Sequence, residues 1–223
     1  MSTPCSNIYV SVQMVGPRGI EPLPSVSKTE MISISPRTDI NNVMNTYCVE
    51  TTLNIPLLKN NTLLKINFPN YHNKLNPALF VNEDFTAFLL TKDLHILHFE
   101  LFYARPYLIG GIHTDIAPCD FAKLNYVYGG KDSTMNWFKQ KVEGTKAISI
   151  SDVGTEYQFY APDEVDLVYS HKLKDKPSIV QVGSPHNIEN FSEPRHCFSC
   201  VIGYKFGQSF ERLTMQQAID LLS

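Results

Sequence analysis

Several things are missing from this sequence, and each absence removes a class of protein. No apolar stretch reaches the roughly 20 residues that cross a bilayer as a helix. No run of Lys and Arg occurs, and the net charge is −3. A dedicated nucleic-acid binder needs clustered cations to displace the counterions of phosphate, so that class is set aside. Cysteine is sparse: five residues, odd in number and scattered, do not form a disulfide framework. The first residues, "MSTPCSNIYVSV", lack the basic start and apolar run of a secretory signal, so a reducing cytoplasm is the expected compartment. Cys197 and Cys200 form a CxxC, but no second pair accompanies it and a strand would send the two thiols to opposite faces, which disfavours a zinc knuckle. GxGxxG, Walker, GxSxG and HExxH motifs are absent, as are repeats of solenoid period.

What is present suits one domain with a full core, since 43% of the 223 residues are apolar. The opening segment stands apart. "MVGPRGIEPLPSVSKTEM" (14–31) has no periodicity and is rich in turn formers. "GPRGIEPL" resembles the product of a transfer-RNA gene read as protein. That resemblance implies a start at Met31 or Met44, the other reading being a disordered tail. Residues 1–43 are therefore expected to be a disordered or spurious extension, and 44–223 the domain.

From residue 44 short alternating runs recur, separated by turn signals every eight to twelve residues. Strands are expected at "YCVETTLNIPLL" (47–58), "HILHFELFYA" (95–104), "YLIGGIHTD" (107–115), "AKLNYVYGG" (122–130) and "TMNWFKQKV" (134–142). More are expected at "KAISISDV", "TEYQFYAP", "DEVDLVYSHKLK", "PSIVQVGSPHNIEN" and "RHCFSCVIGYKF". The spacing predicts a short helix within 76–94 and another over 211–222. This is the pattern of a mainly β sandwich or jelly roll with a few flanking helices.

"GGIHTDIAPCDF" (110–121) carries the first chemical signal. Residues two apart on a strand share a face, so His113 and Asp115 can share a metal ion. Seven His and eleven Asp give about 0.3 chance matches to HxD, so the motif needs company. It comes in "GSPHNIENFSEPRHCFSC" (183–200), where His186 ends a β-rich run and Arg195 opens the last long strand.

In this order, His113, Asp115, His186 and Arg195 resemble the double-stranded β-helix oxygenases that use iron(II) and 2-oxoglutarate, over about residues 76–207. "YARPYLIGGIHTD" is similar to the run of prolyl-hydroxylase-like members, with Tyr103 ten residues before the first ligand. The carboxylate at Asp115 separates the chain from the usual aspartyl/asparaginyl-hydroxylase arrangement. The resemblance implies a cupin-like jelly roll. It also implies Fe(II) on His113, Asp115 and His186, and 2-oxoglutarate held through its far carboxylate by Arg195 and Tyr103; Tyr126 is a further candidate for that contact, read from the sequence and not from the resemblance. Dioxygen, and a peptide side chain or small metabolite to be hydroxylated, would be the partners. Many relatives carry Ser or Thr two residues after the arginine, where this chain has Cys197.

Two other readings stay open: a cupin-like metal protein without 2-oxoglutarate, which needs no Arg195, and a non-enzymatic β-sandwich, which needs none of the four. His72, His95, His98, His171 and His196 read as structural or exposed, and Trp137 as core or cavity wall.

Overall fold

Val, Ile, Phe and Tyr recur at alternate positions between Gly, Pro and Asn turns, and alternation of this kind builds sheets with two distinct faces. The structure, a computed structural model, describes residues 46–60, 71–116, 119–142, 146–151, 153–173 and 176–223. The expectation for residues 1–43 lies outside them.

Among the described residues, fourteen strands form two antiparallel seven-stranded sheets. Across the first run β1 (Cys48–Glu50), β11 (Pro177–Gln181), β6 (Ala122–Gly129), β13 (Arg195–Phe206), β3 (Leu94–Ala104) and β2 (His72–Lys74), with β14 (Ser209–Arg212) also on β13. Across the second run β10 (Val165–His171), β7 (Thr134–Gln140), β12 (His186–Asn190), β5 (Ile112–Asp115), β9 (Glu156–Tyr160) and β8 (Ile148–Ile150), with β4 (Leu108–Ile109) also on β12. Three short α-helices, α1 (Pro77–Phe80), α2 (Glu83–Leu90) and α3 (Met215–Leu222), and one 3-10 turn (Pro162–Glu164) complete the described elements.

Two apolar clusters order these elements into layers. On one face of the first sheet, Phe99, Leu101, Leu124, Ile179, Phe198 and Cys200 pack against Phe85 and Leu89 of α2 and Met215, Ala218 and Leu222 of α3. On its other face, Val127, Val180, Cys197 and Val201 meet Met135 and Trp137 of the second sheet. The interior between the sheets is therefore lined by both.

Several elements depart from their sequence expectations for local reasons. The strand expected over 47–58 is confined to Cys48–Glu50, the extent of its pairing with β11. The helix expected over 211–222 starts at Met215, because Glu211 and Arg212 pair with Tyr204 and Gly203 of β13 and Thr214 caps the helix through Gln217. Gly110 and Gly111 divide "YLIGGIHTD" into β4 and β5. "PSIVQVGSPHNIEN" is two strands in different sheets, joined by a turn at Gly183. A Cβ on that glycine would lie 1.7 Å from the Cys119 carbonyl oxygen, so the crossing needs glycine. β2 was not anticipated from its sequence.

Candidate metal centre

β5 and β12 are neighbours, and their register sets His186 opposite His113. Side chains at the same level of adjacent strands point to the same face, and Asp115, two residues on, joins them. The imidazole centroids are 4.5 Å apart. His113 Nε2 lies 3.4 Å from Asp115 Oδ1, and His186 Nε2 lies 3.9 Å from the same oxygen. One ligand atom from each residue falls within 4.8 Å of the others, so the group can hold a metal ion.

The other ring nitrogens fix the orientation. His113 Nδ1 is 2.8 Å from the Gly111 carbonyl and His186 Nδ1 is 2.9 Å from that of Ser184. A carbonyl only accepts, so each Nδ1 donates, and Nε2 is the nitrogen each ring turns toward Asp115. Histidine ligands are commonly locked by such an outer bond. Here the same device, a bond to the carbonyl two residues back, serves both rings.

Electrostatics keep the group in its ligating state. Burial pushes the His186 pKa down to about 4, and the neighbouring His113 adds to the shift. This imidazole is therefore neutral near pH 7. Burial raises the Asp115 pKa, but the Lys123 ammonium foremost, with a hydrogen bond from His113, holds the carboxyl well below the usual carboxylate range. Lys123 Nζ lies 2.7 Å from Asp115 Oδ2 and 3.1 Å from Glu100 Oε2, with all three side chains buried. Burial disfavours the ammonium, yet these two carboxylates raise its pKa above the ordinary lysine value. Glu100 also accepts from Thr155 Oγ1 at 2.6 Å and lies 3.2 Å from His72 Nε2. Burial pushes its carboxyl up, but His72, Lys123 and Thr155 bring the pKa down to about 2.

Arg195 is 3% exposed and shares its strand face with Cys197, which lines the interior. Its aliphatic stem crosses Gly130, where an added Cβ would come within 2.6 Å. Its Nε is buried without a hydrogen-bond partner, and among the described residues no carboxylate pairs with it. Burial pushes the Cys197 thiol up, Arg195 pulls it down and Asp115 raises it, so both charges act on one buried sulfur.

Tyr103 and Tyr126 require a correction. Tyr103 stands opposite His196 and stacks on Tyr71 at 6.1 Å. Tyr126 stands opposite Phe198 and packs into the helix-covered core. Both are one residue out of phase with the inward positions and lie on the face of the sheet away from Arg195. The spacing in the resemblance counts residues but does not fix their parity.

Lys123, Glu100, Thr155 and the role of His72 escaped the sequence reading. Lys123 and Asn125 look like the solvent side of an alternating strand, yet β6 is central and both its faces are buried. A usable signal existed in Glu100, a lone charge inside the aromatic run "HFELFYA". Trp137 is fully buried in the interior and donates from Nε1 to the Gln181 carbonyl at 2.6 Å.

Fold and site together define a mainly β protein of two antiparallel sheets with a His–Asp–His group able to hold a metal ion. No family model matches the sequence, and no curated protein matches it.

Proposed function

We propose that the protein is an Fe(II)- and 2-oxoglutarate-dependent oxygenase that hydroxylates an unactivated C–H bond of a peptide side chain or small metabolite. The observation that carries the reading is Arg195, a buried arginine without a carboxylate partner among the described residues. An unpaired buried charge costs several kcal/mol (order of magnitude), so an anionic ligand is the natural complement. A cupin-like metal protein has no need of this arginine.

The strand order supports a jelly roll. β3, β13, β6 and β11 neighbour one another in the first sheet, and β5, β12, β7 and β10 in the second. That is the order produced by winding a four-stranded hairpin pair into two interleaved Greek keys. β12 and β13 then deliver His186 and Arg195 to the interior from opposite sheets, nine residues apart.

In this reading His113, Asp115 and His186 hold Fe(II), a donor set that leaves coordination positions open. Bound iron would supply oxidative decarboxylation of 2-oxoglutarate by dioxygen, with carbon dioxide released, one oxygen atom passing to succinate and the other to the hydroxylated substrate. The chain's own residues orient and neutralise. Arg195 offers two parallel N–H groups to the far carboxylate, a geometry that lysine lacks. Asp115 presents Oδ1 between the imidazoles, and their Nδ1 bonds keep both rings aimed. Tyr157 and Phe159 flank His113 with ring centroids at 5.1 and 5.9 Å, and Phe159, opposite His113 on β9, is 52% exposed.

The test is an anaerobic titration of 2-oxoglutarate into the Fe(II)-loaded protein, watched in the visible region, followed by succinate release in air across a panel of peptides and metabolites. A charge-transfer band and succinate formation are expected. Iron binding without a 2-oxoglutarate-dependent band would leave the cupin reading, and no iron binding would leave the sandwich.

A further inference from the structure

The metal group uses one oxygen of Asp115, and the other is held. Oδ1 faces both imidazoles, at 3.4 and 3.9 Å, whereas Oδ2 is bonded to Lys123 Nζ at 2.7 Å. Lys123 is itself fixed from behind by Glu100 at 3.1 Å. Glu100 in turn accepts from Thr155, in the turn before β9, and contacts His72 of β2. The ammonium is therefore tied to elements of both sheets and has no solvent in which to swing away.

A carboxylate with two free oxygens can chelate a metal and occupy two positions. From this geometry we infer that Lys123 is a positioning residue: it reserves Oδ2 and so confines Asp115 to one coordination position, keeping a further position on the ion open. Glu100 is the counter-charge that makes a buried lysine tolerable there. The inference rests on the metal-binding part of the proposed function, not on the 2-oxoglutarate part.

Metal affinity alone is a poor readout. Removing the ammonium favours a cation by charge and also frees a second carboxylate oxygen to bind it, so a gain in affinity has two causes. The number of open positions has no such ambiguity. It is read by loading the full-length protein with Mn(II) and measuring water-proton relaxation, and by loading with Co(II) and recording the visible bands, whose intensity falls as coordination number rises. Lys123→Met leaves Glu100 buried and unpaired, so the informative variant is Lys123→Met with Glu100→Gln, compared with Glu100→Gln alone.

Glu100→Gln is expected to keep the wild-type water count and spectrum. The double variant is expected to lose about one exchangeable water and to show weaker Co(II) bands. Lys123→Arg, which retains a donor to Oδ2, is expected to stay near wild type. An unchanged water count and spectrum in a folded double variant would overturn the inference while leaving the metal site intact. A wild-type protein that binds neither ion would overturn the metal site and the inference together.

Discussion

The same strands build both faces of the first sheet, and the two faces share little chemistry. Toward the helices, β3, β6 and β13 present Phe99, Leu101, Leu124, Phe198, Cys200 and Ile202. Toward the second sheet they present Glu100, Lys123, Asn125, Ser199 and Arg195, all buried, among apolar neighbours such as Val127 and Cys197. Ser199 sits opposite Glu100 and Asn125 and donates to Asn125 Oδ1 at 2.7 Å. Burial is equally deep on both faces, so burial alone does not define a hydrophobic core. One face supplies non-directional apolar contact. The other holds charges that are tolerable only because each has a partner, with Arg195 the exception that points to a ligand.

If the division of labour holds, damage to one face stays on it. Phe198→Ala should cost about 3–5 kcal/mol of stability in a denaturant titration. The folded fraction should still bind metal with wild-type affinity, and a large loss of affinity would break the comparison. Asp115→Ala should abolish tight metal binding. It should also destabilise by roughly 3–5 kcal/mol, because Lys123 loses a partner at the end of a buried ion network. Adding Lys123→Met together with Glu100→Gln, which leaves no buried charge unpaired, should restore much of the stability and none of the binding.

Acid should act on the interior first. The His186 pKa lies at about 4 in the fold against an ordinary histidine value of 6.5, so between these values the unfolded chain binds more protons. The metal-free protein should therefore lose stability as pH falls through that window, by roughly 3 kcal/mol in all. Glu100, depressed to about 2 from 4.5, should extend the loss below pH 4.5. In urea titrations from pH 7 to 4, His186→Gln should flatten the first part of the curve. An unchanged slope would place the titrating group elsewhere.

Smaller effects sharpen the picture. Arg195→Met should weaken 2-oxoglutarate by about tenfold to a few hundredfold, the equivalent of roughly 1.5–3 kcal/mol for a charged hydrogen-bonded contact, and leave Fe(II) affinity nearly unchanged. Arg195→Lys should fall between. Tyr103→Phe and Tyr126→Phe should leave 2-oxoglutarate affinity at the wild-type value, because both hydroxyls lie on the helix side of the sheet. A tenfold loss in either would show that side chains on that face communicate with the interior.

The sequence displayed the mainly β character, the long last strand from Arg195 and the three residues that converge on one point. Those features depend on local alternation and on motif order, which a linear reading can follow. The ion network that supports Asp115 does not. Glu100, Lys123, Thr155 and His72 come from β3, β6, the turn before β9, and β2, and they meet only after both sheets have formed. Parity failed for Tyr103 and Tyr126 for a related reason: a one-residue slip in phase moves a side chain from the inside of a sheet to its outside. The short β1 and shortened α3 were set by tertiary pairing with β11 and β13, which overrode local propensity.

The cysteines turn this layered architecture into a clock. Cys200 is sealed under the helices, while Cys197, three residues away on the same strand, and Cys48 are sealed between the sheets. Burial raises the pKa of all three thiols, that of Cys48 to about 12, so none reacts as a thiolate while its layer stays closed. Alkylation followed by mass spectrometry would time two events on opposite sides of β13: water reaching the helix side and water reaching the space between the sheets. A metal ion bound at His113, Asp115 and His186 should slow labelling of Cys197 more than that of Cys200 if the two layers open independently. The two labelling rates would fall together if the strand is released as one cooperative unit.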